Sequence, residues 1–367
     1  MQKLRKWTAS FLAFCSMFAL IGCGGDSSVS SSDDSTTSSS AQSLQLTERP
    51  RVDNDTVKEL MSDLTFSRGF YVSPFISNTS KHEEWGVLNY QNNAAGDPKW
   101  ILAQWGCTHD LRDETQYTFN RNGNVMTYDD GGKYMRIDTD KVGEITLGIK
   151  GSEEYTRDEN GNIRERTDVT EKWPHILISQ DIGHPIEATA EALFWELTYT
   201  VTKCESLVDR SIYPLDPNLN AAQFQWFVTL YDNNPDSKTY NHGMWFGFSM
   251  FDTRNLNDTP GGYYAYDGGK EDSTGAYIYM FSLSQAKSFK QNVVDSLPSS
   301  VIGKKVTLKV DILPFLKNAL KMASQAGALT GAEWTKLRIG SMNIGWEIPG
   351  NYDAEVEISG LNMYQVF

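Results

Sequence analysis

A two-residue alternation of apolar and polar side chains is the feature that most constrains the fold of this chain. It runs through residues 191–202, 223–231, 243–252 and 304–313. Because successive side chains of a β-strand point to opposite faces, the alternation predicts strands with one face in a core. The side chains predicted to face the core are Leu193, Trp195, Leu197, Tyr199, Val201, Phe224, Trp226, Val228, Leu230, Met244, Phe246, Phe248, Met250, Val306, Leu308, Val310 and Ile312.

Glycine-rich turn signals separate these segments. Asn-Gly pairs at 122–123 and 160–161 predict β-hairpins. Many short strands joined by such turns predict an all-β fold, a jelly-roll-like β-sandwich. Helical patterns predict short helices between strands at residues 55–64, 282–297 and 313–327. The other turn signals are Asp130-Gly131-Gly132, Pro260-Gly261-Gly262 and Asp267-Gly268-Gly269.

The N-terminus resembles the signal of a bacterial lipoprotein. Three basic residues precede an apolar run at 7–21, which is shorter than the roughly 20 residues of a membrane span but suits a secretory signal. Leu20-Ile21-Gly22-Cys23 resembles a lipobox, which implies cleavage of residues 1–22 and a mature chain acylated at Cys23. An ordinary signal peptide with a chance cysteine is the alternative. The resemblance implies a lipid anchor in the cell envelope, and Gly24 in place of an aspartate favours the outer membrane over the inner one.

A polar tether follows the signal. Residues 23–46 are dominated by Ser, Thr and Asp, so we expect a flexible tether ahead of a single large β-sandwich domain at 47–367. Removal of residues 1–22 changes the formal charge from −14 to −17, because 30 basic residues then face 47 acidic ones. A chain this acidic repels phosphate backbones, which excludes nucleic acid as an expected partner.

Two cysteines remain in the expected mature domain, Cys107 and Cys204. In an oxidising compartment they predict one disulfide. Two buried free thiols are the alternative.

Several common site types are absent from the sequence. The five histidines include no HExxH and no closely paired ligand spacing, so no zinc site is predicted. No GxSxG elbow, P-loop or GxGxxG pattern occurs. The segment 157–163 suggests a calcium loop only superficially, since its glycine is displaced and no bidentate glutamate follows. No metal and no cofactor are therefore predicted.

Aromatic residues are in surplus, at 12% of the chain with 10 Trp. Aromatic rings pack on the C–H faces of sugars while amides and carboxylates bind the hydroxyls, so this surplus favours a saccharide site. Most of the aromatic side chains are assigned to the core, and each remaining one has a structural role as its alternative. The candidate ligand-binding residues in turns or out of phase with the core are Trp245, Tyr263, Tyr264, Tyr266 and Asp267.

The segment 336–348 alternates in two phases. Leu337 and Ile339 share the first phase, and the apolar residues from Met342 to Trp346 share the second. The slip at 340–341 predicts a β-bulge, a feature often found beside functional sites. After it, Asn343 and Glu347 lie on the face opposite Trp346.

Glu347 is the candidate catalytic carboxylate of this segment. If the strands share a sheet, Glu347 joins Glu196, Gln225, Asn343 and Trp245 on one polar and aromatic surface. Two carboxylates across a sugar are the minimum for glycoside hydrolysis, so Glu347 and Glu196 are the candidate catalytic pair. Two solvated outer-face carboxylates are the alternative.

At the level of class, the chain resembles carbohydrate-binding and carbohydrate-active β-sandwich lipoproteins of bacterial envelopes. The lipobox, the Ser-rich tether and the closing strands at 339–366 carry this resemblance. The first hypothesis is a membrane-anchored envelope lipoprotein that binds a polysaccharide or glycoconjugate. The second is a glycoside hydrolase or polysaccharide lyase that uses Glu347 and Glu196. The third is a structural or adhesive envelope protein whose partner is another protein.

Overall fold

The computed structural model describes residues 56–74, 86–89, 96–115, 117–138, 140–255, 262–267, 275–282, 292–293 and 302–367. The predicted signal peptide, the tether and Cys23 lie outside the described residues. Among those residues, no helix combines the length and apolarity needed to cross a membrane.

The described strands form two antiparallel-dominated sheets. In chain order they are β1 (Val57–Glu59), β2 (Phe70–Val72), β3 (Gly86–Leu88), β4 (Trp100–Ala103), β5 (Thr118–Asn122), β6 (Val125–Asp129), β7 (Lys133–Asp138), β8 (Ile145–Lys150), β9 (His175–Pro185), β10 (Ala192–Glu205), β11 (Gln223–Asp232), β12 (Gly243–Asp252), β13 (Tyr263–Tyr266), β14 (Tyr277–Ser282), β15 (Asn292–Val293), β16 (Lys305–Asp311), β17 (Leu337–Glu347) and β18 (Asp353–Val366). Sheet A has the order β15-β16-β10-β18-β8-β7-β6-β5, with β1 also paired to β18. Sheet B has the order β13-β14-β12-β11-β17-β9-β4-β2-β3.

The core lies between the two sheets. Trp195 of sheet A stacks on Trp226 of sheet B, with ring centroids 4.1 Å apart, and Phe248 of sheet B packs on the same ring. Every side chain predicted to face the core from the four alternating segments belongs to this one buried cluster. The two layers confirm the predicted all-β, jelly-roll-like sandwich.

Two helices lie among the described residues. Helix α1 (Gly151–Glu154) is a single turn, and α2 (Leu313–Gln325) packs Phe315 against Phe248 and Phe281 of sheet B. Helix α2 confirms the helical prediction at 313–327. Of the predicted helix at 282–297, residues 283–291 and 294–297 lie outside the described residues, and 292–293 form β15.

The predicted helix at 55–64 is wrong where the chain is described. Val57–Glu59 instead forms β1, which pairs antiparallel with the end of β18. Pairing with an available sheet strand outweighs the weak intrinsic helix preference of this segment.

One predicted hairpin is confirmed and the other is wrong. Strands β5 and β6 pair antiparallel around the turn at 122–123. At 160–161 the turn is present, but residues 155–174 on either side of it form no strand. The Asp158 carboxylate accepts hydrogen bonds from the backbone N–H groups of Asn160 and Asn162, so a local side-chain contact forms this turn without a ladder.

The predicted disulfide is also contradicted. Both Cys107 and Cys204 are free, with Cys204 on β10 of sheet A. The Cys107 thiol donates a hydrogen bond to the carbonyl oxygen of His175 on sheet B, at 3.2 Å. Burial raises the pKa of both thiols, so both are neutral at physiological pH; Cys107 is fully buried and Cys204 half-buried.

Candidate functional site

Sheet B is buried on both faces. The face toward sheet A carries the main core, and the opposite face carries a second apolar cluster. We call this opposite face the site face. Its apolar cluster consists of Ala103, Trp105, Leu177, Phe227, Trp245, Ile278 and Met280, with Tyr263 and Ala265 packed against it.

A row of polar side chains crosses the site face at one end of the strands. Asp252 of β12 is register-paired with Gln223 of β11, Gln223 with Glu347 of β17, and Glu347 with His175 of β9. Gln223 Nε2 donates a hydrogen bond to Asp252 Oδ2 at 3.0 Å, and Arg254 Nε donates one to Asp252 Oδ1 at 2.8 Å. Asp252 is therefore charge-compensated, and Glu347 is not.

Glu347 is a buried carboxyl, with 1% of its surface exposed. Its Oε2 atom has no hydrogen-bond partner within the described part of the chain. Loss of solvation raises the pKa of Glu347 to about 8, so the group is mostly protonated at neutral pH. A neutral buried carboxylic acid can donate either a hydrogen bond to a ligand or a proton to a reacting group.

His175 lies beside Glu347, with Nε2 at 3.9 Å from Glu347 Oε2. Burial lowers the pKa of His175 to about 4. Although the distance is that of an ion pair, both groups are neutral near pH 7, so we describe a neutral contact. The rings of Trp105 and Trp173 lie 6.0 and 5.9 Å from the imidazole ring. Nδ1 is 3.1 Å from the carbonyl oxygen of Trp105, which places the proton on Nδ1 and leaves Nε2 as an acceptor.

Further polar groups lie along the same strands. Gln225 of β11 is register-paired with Gly345, and Asn343 of β17 with Phe227. Among the described residues, Gln225 Nε2 and Asn343 Oδ1 have no hydrogen-bond partner, although both are buried. The Tyr263 hydroxyl donates to Gln225 Oε1 at 3.3 Å. From Asn343 to Glu347 the face extends about 14 Å, at roughly 3.4 Å per residue.

Each buried polar group without a hydrogen-bond partner lowers the stability of the folded protein by about 1–3 kcal/mol. Gln225, Asn343 and Glu347 carry such atoms beside aromatic rings on one face. A ligand with several hydroxyl groups and an apolar C–H face would satisfy both halves of this surface. The arrangement therefore has the chemistry of a binding site.

A depression opens at the end of the polar row. We call it the edge pocket; it is a shallow depression whose enclosed volume is about 10 Å³, room for about one water molecule, and the rest of it opens to solvent. Gln223 belongs both to the row and to the pocket wall. The other polar or aromatic residues of its wall are Arg166, Trp173, Asn218 and Arg254.

The sequence-derived candidates fall into two groups. Trp245, Gln225, Asn343, Tyr263 and Glu347 meet on the site face, and the bulge at 340–341 lies between Ile339 and Ser341 as predicted.

The remaining candidates lie elsewhere. Tyr264 and Tyr266 point to the opposite face of the edge strand β13, where they pack on Tyr277. Asp267 follows β13, and its backbone pairs with that of Gly275 and Ala276.

The expectation that Glu196 joins this surface is wrong. Glu196 is on β10 of sheet A, while Glu347 is on β17 of sheet B. The Glu196 carboxylate lies 3.7 Å from Lys309 Nζ, and its side chain is 29% exposed. The two carboxylates therefore do not form the predicted catalytic pair.

Sequence reasoning missed His175, Trp105 and Trp173. His175 was considered only as a metal ligand, but its phase opposite Ile176 and Ile178 places it on the site face. Among the described residues, no group of His, Cys, Asp and Glu side chains could hold a metal ion.

No protein-family model matches the chain, and no curated protein sequence matches it. Solved structures similar to it include the xyloglucanase domain of NopAA, a type three effector from Sinorhizobium fredii, in complex with cellobiose. That match has 12% identity and a TM-score of 0.31, and covers 70% of this chain and 97% of that one. A derivative of the Cel12A cellulase of Rhodothermus marinus has 12% identity and a TM-score of 0.31, with coverages of 73% and 100%. The family 11 xylanase from Neocallimastix patriciarum has 9% identity and a TM-score of 0.33, with coverages of 68% and 95%. Matches this loose carry no conclusion about the family, reaction or ligand of this chain.

Proposed function

We propose that this chain is a lipid-anchored protein of the bacterial envelope that binds a polysaccharide or glycoconjugate on the site face. The observation that carries the proposal is the buried set of unpaired polar atoms on Gln225, Asn343 and Glu347, next to the aromatic side chains of the same face. The lipobox-like segment ending at Cys23 supports the anchored location.

The physical support is a comparison of costs. A sheet face that served only to fold the protein would gain stability from apolar side chains at these positions, because Gln225 Nε2, Asn343 Oδ1 and Glu347 Oε2 have no partners in the described chain. A saccharide supplies hydroxyl donors and acceptors for these atoms. Binding therefore recovers the cost that the free protein bears.

Affinity electrophoresis through gels that contain a panel of polysaccharides tests the proposal. We expect one or more of them to retard the wild-type chain. Gln225→Met keeps the approximate shape of the side chain and removes its amide, so it should weaken retardation. Tyr264→Ala is the matched control, because Tyr264 lies on the opposite face with 45% exposure and should leave binding unchanged.

Two outcomes would contradict the site assignment. One is wild-type mobility that no polysaccharide changes. The other is a loss of retardation in Tyr264→Ala with full retention in Gln225→Met, which would move the ligand to the other face.

A second candidate function is a glycoside hydrolase or polysaccharide lyase, favoured by the protonated state of Glu347. With its pKa near 8, Glu347 can act as a proton donor at neutral pH. Hydrolysis would release new reducing ends, and lyase action an unsaturated product that absorbs in the ultraviolet. Glu347→Gln should abolish either activity, while Glu196→Gln on the other sheet should leave it intact. Full turnover in Glu347→Gln would exclude this function.

A further inference from the structure

The edge pocket differs in charge from the rest of this acidic chain. Two arginines, Arg166 and Arg254, line it, and among the described residues of its wall there is no carboxylate. Its remaining wall is formed by amide, aromatic and aliphatic groups, among them Asn218, Gln223 and Trp173. The pocket is therefore a cationic depression in a chain whose formal charge is −14.

Arg166 is the main reason for this charge. It is 4% exposed, and its guanidinium lies over the Trp173 ring at 4.7 Å from the centroid. Within the described chain no carboxylate forms an ion pair with it, Nε has no partner, and Nη1 donates a long hydrogen bond of 3.4 Å to the Glu171 carbonyl oxygen. Burial lowers the pKa of Arg166, which reflects a cation without full compensation.

The nearby carboxylates have other partners. Glu165 accepts from Arg210 at 2.8 Å and from the backbone N–H groups of Arg166 and Asn351. The Glu171 carboxylate pairs with Arg164. Both carboxylates form their closest ion pairs with other arginines, and their longer-range attraction only partly offsets the effect of burial on Arg166.

Arg254 is the second cation of the pocket, and its guanidinium donates three hydrogen bonds to the Asp252 carboxylate. This pair fixes the orientation of the Arg254 fork and leaves part of its donor set unused, since a guanidinium carries five N–H donors. Asp252 thus offsets one of the two positive charges that Arg166 and Arg254 bring to the pocket wall.

We propose that the edge pocket binds the acidic group of a sugar unit, a carboxylate or a sulfate, at the end of a saccharide lying on the site face. The proposal rests on the saccharide function above and specifies its ligand as an anionic glycan. Arg166 offers such a group a planar, desolvated guanidinium that forms no ion pair among the described residues. Gln223, which joins the pocket to Glu347 across one strand pairing, makes the pocket continuous with the site face.

Isothermal titration calorimetry with single sugars tests the pocket without knowledge of the natural glycan. The probes are D-glucuronate, D-glucose 6-sulfate and neutral D-glucose, at constant ionic strength. The two anionic sugars, glucuronate and glucose 6-sulfate, should bind more tightly than glucose. The tighter of the two shows whether a carboxylate or a sulfate fits the pocket better. Arg166→Gln should weaken this binding about tenfold or more, since a charge-assisted hydrogen bond is lost.

Arg157→Gln is the matched control. Arg157 lies in the same segment, has a side chain 48% exposed, pairs with Glu153 and does not line the pocket. The Arg157→Gln substitution removes one positive charge, as Arg166→Gln does, and should leave the binding of the two anionic sugars unchanged. If Arg166→Gln fails to fold by circular dichroism, the wild-type preference for sugar acids over glucose and its decline with added salt still decide the matter.

The outcomes separate the two proposals. Equal wild-type affinity for glucuronate, glucose 6-sulfate and glucose overturns the anionic pocket, as does a folded Arg166→Gln with unchanged affinity. Retardation by neutral polysaccharides together with no sugar-acid preference overturns this inference alone and leaves saccharide binding standing. Sugar-acid binding with no polysaccharide retained in gels leaves the pocket standing and overturns the polysaccharide function.

Discussion

Replacement of Glu347 by glutamine should remove a loss of stability that grows with pH in the wild type. Burial raises the pKa of Glu347 to about 8 from an ordinary value of 4.5. Below pH 4.5 the carboxyl is protonated in both the folded and the unfolded chain, so it has no pH-dependent effect. Between pH 4.5 and 8 the unfolded chain loses this proton while the folded chain keeps it, and the wild type loses stability with rising pH.

The magnitude follows from the shift. Each pH unit in this window costs about 1.4 kcal/mol of unfolding free energy, so the wild type loses about 3 kcal/mol by pH 7 relative to pH 4.5. Glu347→Gln removes this loss. The new buried amide lowers the stability of the variant by about 1–3 kcal/mol at every pH. The readout is therefore how the difference in unfolding free energy between the variant and the wild type changes with pH.

His175 contributes with the opposite sign. Its pKa is lowered to about 4 from 6.5, so its contribution to stability is lost as pH falls from 6.5 toward 4. In the wild type the His175 and Glu347 slopes oppose each other between pH 4.5 and 6.5. In Glu347→Gln the His175 slope remains, so stability should rise to pH 6.5 and show no Glu347-dependent decline above it.

Urea denaturation of both proteins between pH 4 and 8 is the assay. Glu196→Gln is the matched control, since its half-buried, ion-paired carboxylate on sheet A should change stability by less than about 1 kcal/mol. Parallel pH curves for the wild type and Glu347→Gln would refute the reasoning, because they would mean that Glu347 is ionised in the folded protein.

Three further predictions concern other parts of the chain. Lys133 is fully buried in ion pairs with two carboxylates, so Lys133→Met should lower the unfolding free energy measured in urea by about 3–5 kcal/mol. Lys141 is exposed, so the control Lys141→Met should lower it by less than about 1 kcal/mol. Equal effects of the two substitutions would contradict this account. Mass spectrometry after alkylation in denaturant without reductant should show both Cys107 and Cys204 modified. If both are protected from alkylation until a reductant is added, the two cysteines form a disulfide and the free-thiol assignment is wrong. Cys23→Ala should move the protein from the membrane fraction to the soluble fraction, whereas continued sedimentation with membranes would argue against lipidation.

Local strand geometry was predictable from the sequence. The bulge at 340–341, the inward position of Trp346 and the outward position of Glu347 follow from apolar alternation, and the structure confirms all three. The helix at 313–327 was equally readable, because its apolar spacing repeats over several turns. Failures occurred at short segments such as 55–64, where propensity is weak and a neighbouring strand decides the outcome.

The candidate site was predictable only in part. Gln225, Asn343, Trp245 and Glu347 share a face because β11, β12 and β17 are neighbours in sheet B. Glu196 shows the same outward phase but belongs to sheet A, and nothing in its alternation distinguishes one sheet from the other.

By itself, the sequence determined which side chains of each strand face the core, since that depends only on the two-residue period of an extended backbone. Tertiary structure decided which strands are neighbours, because pairing joins segments distant in the chain. His175 reaches Glu347 across 172 positions, and Arg166 and Arg254 line one pocket from segments far apart in the chain. Tertiary structure also decided which side chains are buried. Glu347 has a raised pKa because the assembled fold removes water from its carboxyl, and no local pattern of residues encodes this loss of solvation.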